Sequence, residues 1–218
     1  MLRELNLITL KPIDRIVGTR TIHHRILASY RGYDFFDGER DYGYGGLKDD
    51  GSMRPLAEAI VNEYHPGTVL QINCEKGFLL WELNKMLVVA KGVESSSYAK
   101  RHMKEIIILP DLDTKELFDL VIALGVVYTL NLTDAIQCLR KIDQLGHRSF
   151  ITLATYETDE DYKLMRQWSL LGTTLLKRDE WIEVMKHAGY SSDYQFIDAK
   201  ALRLSERPLR VGKQIANW

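Results

Sequence analysis

"TVLQINCEKGFLLWEL", residues 68–83, is an apolar, β-branched run that passes through a short polar turn into a leucine-rich stretch. Its first half has the composition of a strand buried on both faces. Its second half begins a helix that puts Leu79, Leu83 and Met86 on one side. A strand, a tight turn and a helix in that order hold nucleotide-type ligands in many α/β proteins. Backbone N–H groups point outward there, and the chain comes close to the ligand.

The alternation continues from this point. "LVVAKGVE" (87–94) reads as a second strand and "SSYAKRHMK" (96–104) as a helix with Ser95 or Ser96 at its N-cap. "EIIIL" (105–109), "LFDLVIALGVV" (117–127) and "RSFITLATY" (148–156) are further strands. "NLTDAIQCLRKIDQLG" (131–146) and "KRDEWIEVMKHAGY" (177–190) are amphipathic helices ending at glycine. "DYQFIDAKALRL" and "PLRVGKQIANW" flank the turn "SERP" and read as an antiparallel pair. The expected fold is α/β: a Rossmann-like, seven-stranded, mostly parallel sheet closed by an antiparallel C-terminal hairpin, with helices on both faces.

The chain has 218 residues, 45% hydrophobic and 27% charged, so one domain with a sizeable core is expected. Residues 68–218 are read as the core and 1–67 as an N-terminal lid or cap. Within that cap, "RGYDFFDGERDYGYGGLKDDGSMRP" follows neither regular period and is expected to be loop. Its tyrosines and phenylalanines argue against free disorder, which leaves a functional lid. Lys plus Arg is 29 against Asp plus Glu 30, a formal net charge of −1 that favours neither nucleic acid nor a membrane surface. The N-terminus is broken by charges and Pro12 and resembles no signal peptide or membrane span, so a cytoplasmic location is expected. Cys74 and Cys138 lack metal-ligand spacing and read as inert thiols. No metal is expected, and a homodimer is left open.

The order and spacing of these parts carry the functional reading. About twenty residues after "QINCEKG", the second strand ends in Glu94, where a carboxylate can accept hydrogen bonds from both ribose hydroxyls of a nucleoside. Together, residues 66–204 resemble class I S-adenosylmethionine-dependent methyltransferases: "VLQINCEKGFLL" is similar to their first loop, "GVESSSYA" to their second motif and "LFDLVIALGVVYTLNL" to their fourth. The resemblance implies S-adenosylmethionine as cofactor, held by Gln71, Asn73, Cys74, Gly77, Glu94, Ser95, Ala123 and Leu124. It implies Tyr128 beside the transferring methyl as an acceptor-positioning residue. The flanking segments look like methyltransferases of bacterial surface-polysaccharide clusters, including capsular O-methyl phosphoramidate enzymes. That likeness implies Tyr42, Tyr44, Gly45 and Arg54 at the donor's methionine end, and a small-molecule or saccharide-linked acceptor.

The chain departs from the pattern at named positions. The first acid of the family is Gln71, which can accept a hydrogen bond but supplies no charge. Two glycines of the loop are Asn73 and Glu75; Asn tolerates a left-handed backbone, whereas Glu adds bulk and negative charge. The third motif is shortened to "IIILPDLDTKELFDL", where Asp111 or Asp113 could reach an adenine. Weakened donor affinity is therefore expected, and a catalytically weak or inactive paralogue serving as a binding subunit is the alternative. A nicotinamide-dependent enzyme is a more distant one. His23 and His24 could bring a base to the site or simply be solvated. His65, His147 and His187 read as structural, and Trp168 as core or acceptor pocket.

Overall fold

The strand-forming runs are apolar throughout instead of alternating, which suits a sheet covered on both faces. The computed structural model describes residues 1–9 and 14–206. In chain order these form β1 (Arg3–Glu4), β2 (Arg15–Val17), α1 (Ile22–Ser29), α2 (Tyr33–Phe36), α3 (Arg54–Tyr64), β3 (Thr68–Ile72), α4 (Phe78–Lys85) and β4 (Val89–Val93). There follow α5 (Ser97–Arg101), β5 (Ile107–Leu109), β6 (Phe118–Ala123), α6 (Leu132–Leu145), β7 (Gly146–Ala154), α7 (Asp159–Trp168), α8 (Arg178–Ala188), β8 (Asp193–Ile197) and β9 (Leu204–Glu206). Seven strands make one sheet in the order β1-β8-β7-β6-β3-β4-β5, with every pairing parallel.

Successive residues of β3 serve opposite faces of that sheet. Val69 packs with Leu56, Ala57 and Ile60 of α3 and with Leu79, Leu80 and Leu83 of α4. Leu70 and Ile72 pack on the other side with Ala135, Leu139 and Ile142 of α6 and with Trp181 and Met185 of α8. Each buried Val, Leu, Ile or Met among them contributes on the order of 1.5–3 kcal/mol of transfer free energy. Trp181 is fully buried, and its indole N–H donates to Ala154 O at 2.9 Å, so its one polar atom is satisfied.

The described residues show no antiparallel C-terminal hairpin, and residues 193–204, expected to be one strand, form β8, a turn and the start of β9. β8 lies parallel to β7, and the seventh strand is β1 from the other end of the chain, which no sequence period announces. Arg3 fixes its register: Nε and Nη2 donate to Asp193 at 2.8 and 2.9 Å, and Leu5 N donates to Tyr194 O at 2.8 Å. After β8, Asp198 accepts from Ala201 N at 2.7 Å, and Arg203 takes a left-handed φ of 51°. This turn takes the chain off the sheet, and β9 pairs parallel with β2 in a separate two-stranded sheet. Residues 208–218, expected to be the hairpin's second strand, lie outside the described residues. The stretch 31–55, expected to be loop, is more regular than that, with α2 and the start of α3 inside it.

Strand order reverses between β3 and β6, the connections leaving β3 toward β4 and β6 toward β7. The carboxyl ends of these two strands therefore splay apart and leave a crevice.

Candidate functional site

At the carboxyl end of β3, Asn73, Glu75 and Gly77 all adopt left-handed φ, at 57°, 56° and 74°. Cys74 N donates to Val93 O at 3.1 Å and Gly77 N to Cys74 O at 2.9 Å, which folds the loop over the end of β4. The loop thus has a glycine-type backbone at two positions that carry side chains. Cys74 turns inward, where burial pushes its thiol up to about 12, and it is unreactive. Its Sγ occupies the space over Gly92 of β4, where a Cβ would come within 2.4 Å. Both cysteines are free thiols.

Glu94 follows β4, and its carboxylate is fully enclosed. Oε2 accepts from Glu75 N and Oε1 from Ser96 N, each at 2.7 Å. Arg31, in the turn between α1 and α2, brings Nη2 to 3.3 and 3.2 Å from the two oxygens. The Arg31 guanidinium lies over the Phe35 and Phe36 rings at 5.5 Å, and its buried Nε has no hydrogen-bond partner. Ser96, not Ser95, caps α5: its Oγ accepts from Ala99 N at 3.0 Å and donates to Arg31 O at 2.6 Å. Ser95 is exposed.

Further contacts dock residues 37–47 on the loop and on α5. Lys76 is buried, and its Nζ donates to both oxygens of Asp37 at 2.6 and 2.7 Å and to Leu47 O at 2.8 Å. Tyr98 donates to Asp37 at 2.6 Å. Burial pushes the Asp37 carboxyl up, but the bonds from Lys76 and Tyr98 hold it below its usual range. Tyr44, stacked on Phe36, donates its hydroxyl to Glu75. Burial pushes the Glu75 carboxyl up to about 6, with Glu94 adding to the effect and Tyr44 and Arg31 opposing it.

Gln71 is 6% exposed in β3, and its Oε1 accepts no hydrogen bond. A buried amide oxygen left without a donor is an acceptor available to a ligand. Ala123 closes β6 within the core, and Leu124 packs at the edge of the opposite cluster. Tyr128 sits in a short 3-10 turn, Val127–Thr129, with 8% exposure. Its hydroxyl reaches back over Gly125, where a Cβ would lie 3.6 Å away. Burial raises the Tyr128 hydroxyl to about 12; Ser169 opposes this and Glu75 adds to it.

The other expected contacts fall elsewhere. Tyr42 stacks on His24 at 5.2 Å, and His24 Nδ1 accepts from Thr21 N at 3.1 Å at the start of α1. Gly45, at φ 71°, packs on Arg40. Arg54 pairs with Glu58 at 2.9 Å and reaches Glu82 of α4 at 3.8 Å. Asp111 accepts from Asp113 N at 2.7 Å in a turn after β5. Of the four residues expected at the methionine end, only Tyr44 has a contact to the loop among those described. Arg31, Asp37 and Lys76 escaped the sequence reading because each is one charged residue among many; the "RGYDFFDG" cluster was the only signal. Two surface cavities of about 510 and 570 Å³ lie away from the crevice, at the amino ends of β7 and β8 and beside β2. Among the described residues no helix is long and apolar enough to cross a membrane, and no cluster could hold a metal ion.

No family model and no curated protein matches the sequence. Solved structures do. The N-terminal domain of EvdMO1, described in the presence of SAH and D-fucose, is 17% identical over 77% of this chain and 85% of that one, with a TM-score of 0.49. CalS10, a SAM-bound amino pentose methyltransferase from Micromonospora echinaspora involved in calicheamicin biosynthesis, is 16% identical with a TM-score of 0.40. That alignment covers 48% of this chain and 49% of CalS10, so it spans about half of that protein. KedS8, a sugar N-methyltransferase from a Streptoalloteichus species, is 18% identical over 46% of this chain and 45% of its own, with a TM-score of 0.37. At this level of similarity no activity transfers to the present chain, and the α/β assignment stands on the strand order itself.

Proposed function

We propose that this chain is an S-adenosylmethionine-dependent methyltransferase with a small-molecule or saccharide-linked acceptor. The observation that carries this reading is the pairing of the left-handed loop 73–77 with the Glu94 carboxylate at the switch point of the sheet. The residues present fit the donor. Glu94 suits the ribose hydroxyls, the free Oε1 of Gln71 suits an ammonium N–H, and the open turn at Asn73 and Glu75 lets a ligand approach the backbone. The donor supplies a methyl group already activated on a sulfonium, so the chain has to orient the partners and exclude water.

Residues 22–48 act as the lid in this reading, with the Arg31, Asp37 and Tyr44 contacts as its closed arrangement. Ribose hydroxyls and Arg31 compete for the same carboxylate, so donor entry requires Arg31 to give way. Tyr128 keeps its proton at neutral pH and serves to position the acceptor by hydrogen bonding, not as a base. A surface-polysaccharide acceptor and a cytoplasmic location complete the proposal.

Calorimetric titration with S-adenosylmethionine tests the reading. The wild-type chain is expected to bind more weakly than micromolar, and Glu94→Gln to lose roughly tenfold or more, the cost of one charge-assisted bond. Equal binding by both proteins would overturn it. The Arg31–Glu94 pair also favours a second reading, a binding subunit without activity, and the absence of donor binding would select that one.

A further inference from the structure

Glu75 stands at a backbone φ of 56°, which is strained for a residue with a side chain and not for glycine. Strain of this kind is retained where the surroundings hold it in place. Here they do: Tyr44 from the lid bonds the carboxylate, and the Glu75 N–H is committed to Glu94. Two carboxylates therefore share the mouth of the loop. Arg31 is the cation facing them, because the Lys76 ammonium is turned away to Asp37 and Leu47 O. In the described cluster of Glu75, Glu94 and Arg31, one negative charge is left over.

That charge has a matching ligand. The sulfonium donor has an ammonium, a carboxylate and a positively charged sulfur, and is a net cation. The thioether left after transfer keeps the first two and is net neutral. Glu75 follows β3 and Tyr128 follows the adjacent β6, so both stand at the carboxyl-end crevice where the proposed transfer takes place.

We propose that Glu75 is a specificity-determining residue: its carboxylate makes the crevice hold the sulfonium donor in preference to the thioether product, so that transfer itself weakens retention of the spent cofactor. This rests on the methyltransferase reading. It also reverses the sign expected from the sequence, where a glutamate in the loop counts only as an obstacle. The groups facing Glu75 are Tyr44 and Arg31 from the lid, Glu94 after β4 and Tyr128 after β6. Its carboxyl titrates at about 6, so the preference is present above that pH and fades below it.

The test is the ratio of dissociation constants for S-adenosylhomocysteine and S-adenosylmethionine, measured by calorimetry on the full chain. The wild type at pH 7.5 is expected to favour the sulfonium by about tenfold, a unit charge acting across several ångströms of partly screened space. Glu75→Gln, which retains an acceptor for Tyr44, is expected to bring the ratio near one, mainly by weakening the sulfonium ligand. Glu75→Gly is a second variant free of backbone strain, and it should do the same. Moving the wild type to about pH 5 should mimic both variants and leave their ratios unaltered. If both ligands bind and the ratio is the same in all three proteins, the role of Glu75 is refuted while the methyltransferase reading stands. If the wild type binds neither ligand, both fail.

Discussion

Asn73 and Glu75 show how a position with a side chain can hold a backbone that favours glycine. Asparagine enters the left-handed region at small cost, whereas glutamate is held there by Tyr44 and Glu94. Gly92 is the opposite case, a glycine whose role is space, not φ. A Cβ there would lie 2.4 Å from Cys74 Sγ and 2.8 Å from Leu80 Cδ1. Gly92→Ala is expected to destabilise by about 2 kcal/mol through overpacking, and adding Cys74→Ala should recover part of that loss. Urea unfolding of the two single variants and the double variant measures the coupling. Strict additivity would mean that the thiol is not what the added methyl meets.

At the scale of elements, residues 31–47 are joined to the loop 73–77 by a small number of polar bonds over an aromatic stack. Tyr44, Phe36 and Tyr98 lie nearly parallel, and Asp37 beside them binds Lys76 and Tyr98. Asp37→Asn is expected to weaken this closure by about 2 kcal/mol, so amides in residues 33–47 should exchange roughly thirtyfold faster. The pH dependence has a definite sign. The folded carboxyl lies below its ordinary 3.8, so the latch is present above that value and is lost as pH falls through the lowered one. The part of the protection that depends on Asp37 should therefore be lost below about pH 4, a drop that Asp37→Asn should lack. Unchanged exchange in the variant would mean that the ring stack alone holds the segment.

Across the whole molecule, Asp193 ties together parts far apart in sequence. It is almost fully buried and accepts from Arg3 of β1, from the Tyr64 hydroxyl of α3 at 2.9 Å and from Arg148 of β7 at 2.7 Å. Burial pushes its carboxyl up, but these donors prevail and hold it below the ordinary value. Asp193→Asn removes the buried anion shared by Arg3 and Arg148 and leaves them only Glu63, at 2.8 and 4.0 Å. It is expected to cost about 3 kcal/mol, lowering the melting temperature by roughly 5–10 °C in a calorimetric scan. A shift within about 1 °C would show that β1 is held by its backbone bonds alone.

The sequence by itself determined the parts whose information is local. The apolar runs within 68–73, 87–94, 117–127 and 148–156 declare buried parallel strands, and the periodicity of 131–146 and 177–190 declares their covering helices. Glu94 could be named because its place depends on a spacing along the chain. Only the tertiary structure decided that the sheet's edge strand comes from the N-terminus, that Arg31 sits on Glu94 across 63 residues, and that Glu75 keeps a glycine's backbone. The physical reason is the same in each case. These are choices of charged partners and of the last open strand edge, settled by which groups burial brings together, and no period in the sequence encodes them.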